Sequence, residues 1–276
     1  MSKIQTRSTA AATGLISGAL LGVGAYFLIR RTDVTPTAAV AAGLILLAVV
    51  LILYIVAAMA LKPSASHESH VTSACRGLLI SVNSTCNFVI AWQLMSALLG
   101  APGIFIGGAL GGITLIACIG AVSGNAFYQG VIGWLDWLLP MSWLVIALGL
   151  VFALASVLLH LIITLPFGAT FTRVGGKSGS RCLDGATGTF FQHGGLVANC
   201  NPLKTAFNMG NIAFVHKDST SAYYDHEAGH TLNLAAFGSL FHFIGAIEQM
   251  INGHRAFAEL LAESNDTAGH NQLAMW

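Results

Sequence analysis

The residues best suited to chemistry lie in one run, Tyr223-Tyr224-Asp225-His226-Glu227-Ala228-Gly229-His230-Thr231-Leu232. The run reads H-E-x-x-H. On a helix, positions four apart lie one turn apart on the same face. His226 and His230 can therefore aim two imidazoles at one metal ion, and Glu227, beside the first of them, can take a proton from a water polarised by that ion. Two histidines alone hold zinc poorly, because hydrolytic sites use three protein ligands and leave one position for water. The best third ligand is Glu259, on a helix predicted over 255–263, with Glu263 one turn further on. Glu248, Glu263 and His242 remain alternatives. A developing oxyanion needs one more donor, and Tyr223, Tyr224, His242 and His254 all offer one. His193 and His216 fall on predicted strands and read as structural.

These residues need a mounting, and composition says where it sits. Of the 276 residues, 55% are hydrophobic and only 8% charged, with a mean hydropathy of +0.74. Soluble domains carry about 25% charged residues. The formal net charge of +1 leaves no electrostatic footprint for nucleic acid. About 20 apolar residues cross the roughly 30 Å hydrocarbon layer. Runs that meet this requirement predict five spans, at 11–29, 38–61, 77–99, 101–122 and 141–165. The first is stopped by Arg30-Arg31, lacks a cleavage site and reads as a span, not a signal. The third carries Asn83, Ser84, Thr85, Asn87 and Gln93, which must find partners on neighbouring helices. Gly103, Gly107 and Gly111, and likewise Gly14, Gly18 and Gly22, recur every four residues. Such spacing lets helices approach closely, within the chain or between copies in a homo-oligomer. Residues 123–140, with Trp134, Asp136 and Trp137, read as an interfacial helix. His67, Glu68 and His70 read as a solvated loop.

Beyond Pro166 the composition turns polar. The predicted organisation is a helical membrane region over 1–165 and an α+β metal-binding domain over 166–276. Gly175-Gly176, Gly194-Gly195 and Asn201-Pro202 read as turns. Short strands are predicted at 169–174, 188–192 and 211–216. The motif helix is predicted over 223–237, broken near Gly238, with a second helix over 240–250. Phe237, Leu240, Phe241, Phe243 and Ile244 make the stretch after the motif apolar enough to lie on the bilayer or against the membrane helices. Of the five cysteines, Cys182 and Cys200 share this polar part and either pair or stay as thiols.

The motif, with Ala258-Glu259-Leu260-Leu261-Ala262-Glu263 downstream, resembles the zincin metallopeptidases, and among them the gluzincin type, whose third ligand is a downstream Glu. The resemblance covers about 40 residues. It implies a Zn²⁺ held by His226, His230 and Glu259, Glu227 as catalytic base, and Glu263 as the acidic residue supporting a ligand imidazole. It also implies a small sheet whose edge strand binds the substrate backbone, and 211–216 is the expected edge. No third His follows at metzincin spacing, where Asn233 stands, and the second acidic position holds Glu where Asp is commoner. Leu183-Asp184-Gly185 is similar to the aspartate motif of intramembrane site-2 proteases, but it lies upstream in a polar loop and reads as a turn. A multi-span anchor bearing a zincin domain resembles membrane zincins in general plan.

The function expected is therefore that of a membrane-anchored zinc metallopeptidase acting on a protein or peptide, with the lipid bilayer as its other partner. The alternative is a non-catalytic membrane assembly or regulatory protein with a structural metal. A transporter ranks last, because the spans hold almost no charge. Counting Lys and Arg at the span ends gives a slight lean to a cytoplasmic catalytic domain, which a Cys182–Cys200 disulfide would reverse.

Overall fold

The computed structural model describes residues 3–31, 34–62, 68–123, 125–167, 182–202, 204–219, 223–253 and 256–266. The expected strand at 169–174 lies outside them. Six long or medium helices come first: α1 (Lys3–Arg31), α2 (Pro36–Leu61), α3 (His70–Leu99), α4 (Gly103–Val122), α5 (Ala126–Leu135) and α6 (Trp143–Phe167). Then come β1 (Leu183–Asp184), β2 (Thr189–His193), α7 (Gly195–Asn199), β3 (Ala206–Met209), β4 (Ile212–Val215), α8 (Tyr223–Asn252) and α9 (Phe257–Asp266). Local signals set the ends. Thr35 caps α2 by accepting from the Ala38 N–H, with Pro36 at the first helical position, and Ser69 caps α3 through the Thr72 N–H.

Helices α1, α2, α3 and α4 are long and apolar enough to cross a membrane, and so by length and composition is α8. This marks the chain as an integral membrane protein. The expected span at 141–165 corresponds to α6. It joins α5 at a bend of 77°, so the expected interfacial helix and the span after it form one bent pair. Asp136 is fully buried. The Trp134 and Trp137 indoles donate to the carbonyls of Gly185 and Gly188 at 2.9 and 3.1 Å. They tie the helices to the β1–β2 turn.

The amides of α3 find the interhelical partners the sequence demands, while Thr85 bonds back to Ser81 of its own helix. Asn83 Nδ2 donates to the Ala235 carbonyl on α8 at 3.0 Å, and Asn87 Oδ1 accepts from the Met141 N–H at 3.0 Å. Leaving such a buried carbonyl orphaned costs about 1–3 kcal/mol. The four-residue glycine stripe of α4 packs inside the chain: Gly107 sits against the backbone of Trp92, and Gly111 against Phe88. Glu68 is buried and paired with Arg76, which is fully buried itself, so the expected solvated loop ends in an internal ion pair. His70 Nδ1 lies 2.7 Å from Thr9 Oγ1.

The sheet has four strands in the order β1-β2-β4-β3, with β2 parallel to β4 and the other pairs antiparallel. The expected edge strand, 211–216, is therefore internal. The edge next to the motif helix is β3, joined to β4 by the two-residue turn Gly210-Asn211. Glycines again permit the packing, since a side chain at Gly210 would meet Ile146 of α6 at 2.9 Å.

Helix α8 is not a straight rod. Gly238 has φ 80° and ψ 176°, a conformation open essentially to glycine alone. A side chain there would also meet Asn83 Oδ1 at 2.7 Å. Gly229 and Gly245 both lie against α9, at Ala262 and Ala258 respectively. In a straight helix those glycines would be about 24 Å apart, while their α9 partners are about 6 Å apart. The two arms of α8 fold back into a V with its apex at Gly238. The main buried cluster joins the two parts of the chain: Leu51 and Tyr54 of α2, Leu79 of α3, Leu232 and Phe237 of α8, and Phe257 of α9 all belong to it. The boundary at 165/166 separates compositions, and packing runs across it.

Gly238→Ala is expected to cost about 1–3 kcal/mol through the forbidden backbone conformation, read as a lowered midpoint of thermal unfolding in detergent, with Gly253→Ala, in open space, as the strained but uncrowded control.

Candidate metal centre

Two side chains of the site come from the first arm of α8 and one from α9. His226 Nε2 and His230 Nε2 stand 3.2 Å apart. Glu259 reaches both, with Oε2 3.2 Å from His226 Nε2 and Oε1 3.2 Å from His230 Nε2. Among the described residues this is the one group of three side chains with metal-ligand chemistry in reach of a common centre. Each Nε2 can donate to its own Glu259 oxygen, and that arrangement leaves the two nitrogens facing each other with no proton to share. A cation at the centre would meet all three atoms at once.

Burial alone would raise the Glu259 carboxyl; hydrogen bonds from the His226 and His230 imidazoles outweigh it and hold the group well below the ordinary carboxylate range. The approach of Glu259 is made possible by Gly229, the residue just before His230. A Cβ at Gly229 would come within 2.9 Å of the Ala262 Cα. Asn233 Nδ2 reinforces the crossing by donating to the Ala258 carbonyl at 3.4 Å.

Glu227 is buried, and its Oε2 has no hydrogen-bond partner among the described residues. Both Glu227 and the three clustered side chains line a cleft of about 430 Å³ between the first arm of α8, its second arm and β3. Behind the cleft, a ladder of polar side chains ties the motif to the sheet. Asn208 Nδ2 donates to the Glu227 carbonyl at 3.0 Å and to Thr231 Oγ1 at 3.1 Å. Thr189 donates to Thr231 at 2.9 Å, and Thr231 in turn to the Gly210 carbonyl at 3.0 Å. Thr231 therefore clamps the turn of helix that carries His230.

The remaining candidates separate clearly. Glu248 is turned away to cap α9, accepting from the Phe257 N–H at 2.7 Å and from Asn252 at 2.9 Å. His242 lines the cleft from the second arm. The Tyr224 hydroxyl pairs with His193 Nε2 at 2.9 Å, and its ring packs on Phe191, so it serves the sheet. His216 accepts from the Asp218 N–H at 3.1 Å and shapes its loop. Asp184 caps its own turn through Ala186 and Thr187, as a turn residue should. Glu263 lies on α9 one turn after Glu259, and its side chain, that of Tyr223 and all of His254 lie outside the described residues. Cys182 and Cys200 are both exposed and are not joined in a disulfide.

Sequence reasoning missed β3, Asn208 and the role of Asn233. The signal for the first two is present in Ala206-Phe207-Asn208-Met209-Gly210-Asn211-Ile212-Ala213-Phe214-Val215: two short apolar runs flanking a Gly-Asn pair form a hairpin pattern. Comparison with family models, with curated proteins and with solved structures finds no match. The site is therefore read from its own geometry.

Gly229→Leu is expected to push α9 off α8 and reduce bound metal at least tenfold, measured by elemental analysis of the purified protein; a helical circular-dichroism signal unchanged from the parent protein separates this from unfolding.

Proposed function

We propose that this chain is a membrane-anchored zinc metallopeptidase. The observation that carries the reading is the triangle of His226, His230 and Glu259 ligand atoms, with separations of 3.2 Å, beside the orphaned Glu227 carboxylate oxygen. Ligands at about 2.0–2.2 Å from a tetrahedral ion lie about 3.3–3.5 Å from one another. Two imidazoles and one carboxylate make a donor set suited to zinc, and three protein ligands leave a position open. Zinc bound there supplies a Lewis acid that makes water nucleophilic near neutral pH.

The chain's own residues do the rest. Glu227 accepts the proton of the attacking water at Oε2 and passes it to the leaving amine nitrogen. Its burial, and the Asn208 bond that holds its carbonyl, fix the Glu227 side chain at the lining of the cleft. The edge of β3 offers the substrate a template. The His216 N–H donates to the Thr205 carbonyl at 3.1 Å, so by the alternation of an antiparallel pair Ala206 and Asn208 turn their N–H and C=O groups outward, along the cleft. An extended peptide can add there as a further strand. His242, across the cleft, hydrogen-bonds the Asn208 backbone, so a substrate strand would displace it there.

Glu227→Gln is expected to keep one zinc per chain and to lower peptide hydrolysis by about 10²–10⁴-fold, the usual worth of a general base. His230→Ala is expected to lose the zinc itself. Elemental analysis beside a peptide-cleavage assay reads both. Full hydrolysis by zinc-loaded Glu227→Gln would reject the mechanism, and a zinc-bound parent protein that cleaves nothing would favour a purely structural metal.

A further inference from the structure

We infer that the cleft lies inside the hydrocarbon layer and opens sideways into it, and that its substrate is an apolar, membrane-embedded peptide segment. The chemistry rests on the metallopeptidase reading; the depth does not.

Depth follows from α3. A helix of 30 residues is about 45 Å long and covers the hydrocarbon with its headgroup margins. Asn83 falls close to its midpoint, about 20 Å from one end and about 24 Å from the other. Asn83 grips Ala235, three residues before the apex of the α8 V. Asn87 grips Met141, in the bend between α5 and α6. The two tips are also stitched to each other, since the Ser239 N–H and hydroxyl both donate to the Met141 carbonyl, at 2.8 and 2.7 Å. Two bent elements thus enter from one side and meet near the bilayer midplane.

The metal ligands lie a short way back along the first arm. From Ala235 to His230 is about 7.5 Å of helix, and to His226 about 13.5 Å, within the roughly 15 Å half-thickness of the hydrocarbon. A second contact agrees. Phe257, two residues before Glu259, packs edge-on against Tyr54 of α2, with ring centroids 5.6 Å apart. Tyr54 is buried and lies about 10 Å inside the end of its helix at Leu61.

The outer wall of the cleft fits lipid. The second arm of α8 exposes Ile247 at 58%, Met250 at 88% and Ile251 at 78%. Its single charged residue, Glu248, is turned inward onto α9. Phe207, Met209, Phe241 and Phe243 line the cleft behind that wall. Water would disfavour such a surface, and lipid would not. The same setting explains how a helical segment could be unwound for cleavage. Strand-edge N–H and C=O groups are costly in hydrocarbon unless paired, so the outward groups of Ala206, and of Asn208 once His242 is displaced from it, favour a substrate that arrives apolar and becomes extended.

The test places one added cysteine at a time in a chain whose five native cysteines are replaced by serine, reconstituted in phosphatidylcholine vesicles. A charged maleimide is supplied on both sides of the bilayer. Lys217→Cys, on an exposed loop, is expected to label at least tenfold faster than Ile247→Cys or Met250→Cys, with all three equal in denaturing detergent. Equal rates in vesicles would overturn the depth. In parallel, zinc-loaded protein is given a single-span reporter with an uncharged apolar segment, or casein. Cleavage within the span, at least tenfold over casein and lost in Glu227→Gln, is the expected result. Casein cut and the span intact would overturn the substrate class alone, leaving the metallopeptidase reading standing. Zinc bound and neither cut would overturn both.

Discussion

Glu259 reaches two imidazoles that stand 29 and 33 positions earlier in the chain, and a single close crossing brings it there. Helix α9 lies on α8 at Gly229, where no side chain intervenes. The same helix touches the far arm of α8 at Gly245, which it can do only because the chain reverses at Gly238. The ligand triangle, the cleft and the course of β3 along it all depend on this folded-back helix. Each of the three glycines works by absence: two give up a Cβ that would hold helices apart, and one adopts a backbone conformation that other residues avoid.

Polar groups locate the apolar parts relative to one another. In a core built from membrane-type helices, van der Waals packing alone is weakly directional. Asn83, Asn87 and Ser239 supply the direction, each satisfying a backbone group exposed by a break in a helix. Thr231, Asn208 and Thr189 do the same between the motif helix and the sheet. A threonine directly after the second histidine is well suited to this. It points to the opposite side of the helix from His230 only in part, and it can accept and donate at once.

Much of this was legible in advance. Four of the long apolar helices, the break at Gly238, the turn at Leu183-Asp184-Gly185 and the pairing of the α3 amides are all consequences of composition or local chemistry. Glu259 was the preferred partner of the histidines because of its place on a downstream helix, and the fold brings it to them. The failures were non-local. Asn211–Val215 has the makings of a strand, but whether a strand is an edge depends on what pairs beside it, and β3 was the neighbour overlooked. Trp134, Trp137 and Asp136 matched the composition of an interfacial helix. Only the fold bonds the two indoles to a turn 51 residues away and buries Asp136.

By itself the sequence determined which residues share a helical face, where the chain turns apolar, and where glycine must interrupt a helix, because these depend on spacings of a few residues. That is enough to put His226 and His230 on one point and to mount them on a membrane protein. Only the tertiary structure decided that Glu259 and not Glu248 completes the triangle, that β3 forms the cleft wall, and that α8 doubles back. Those outcomes turn on whether surfaces far apart in the chain can approach within a Cβ's width, and no local pattern encodes that distance.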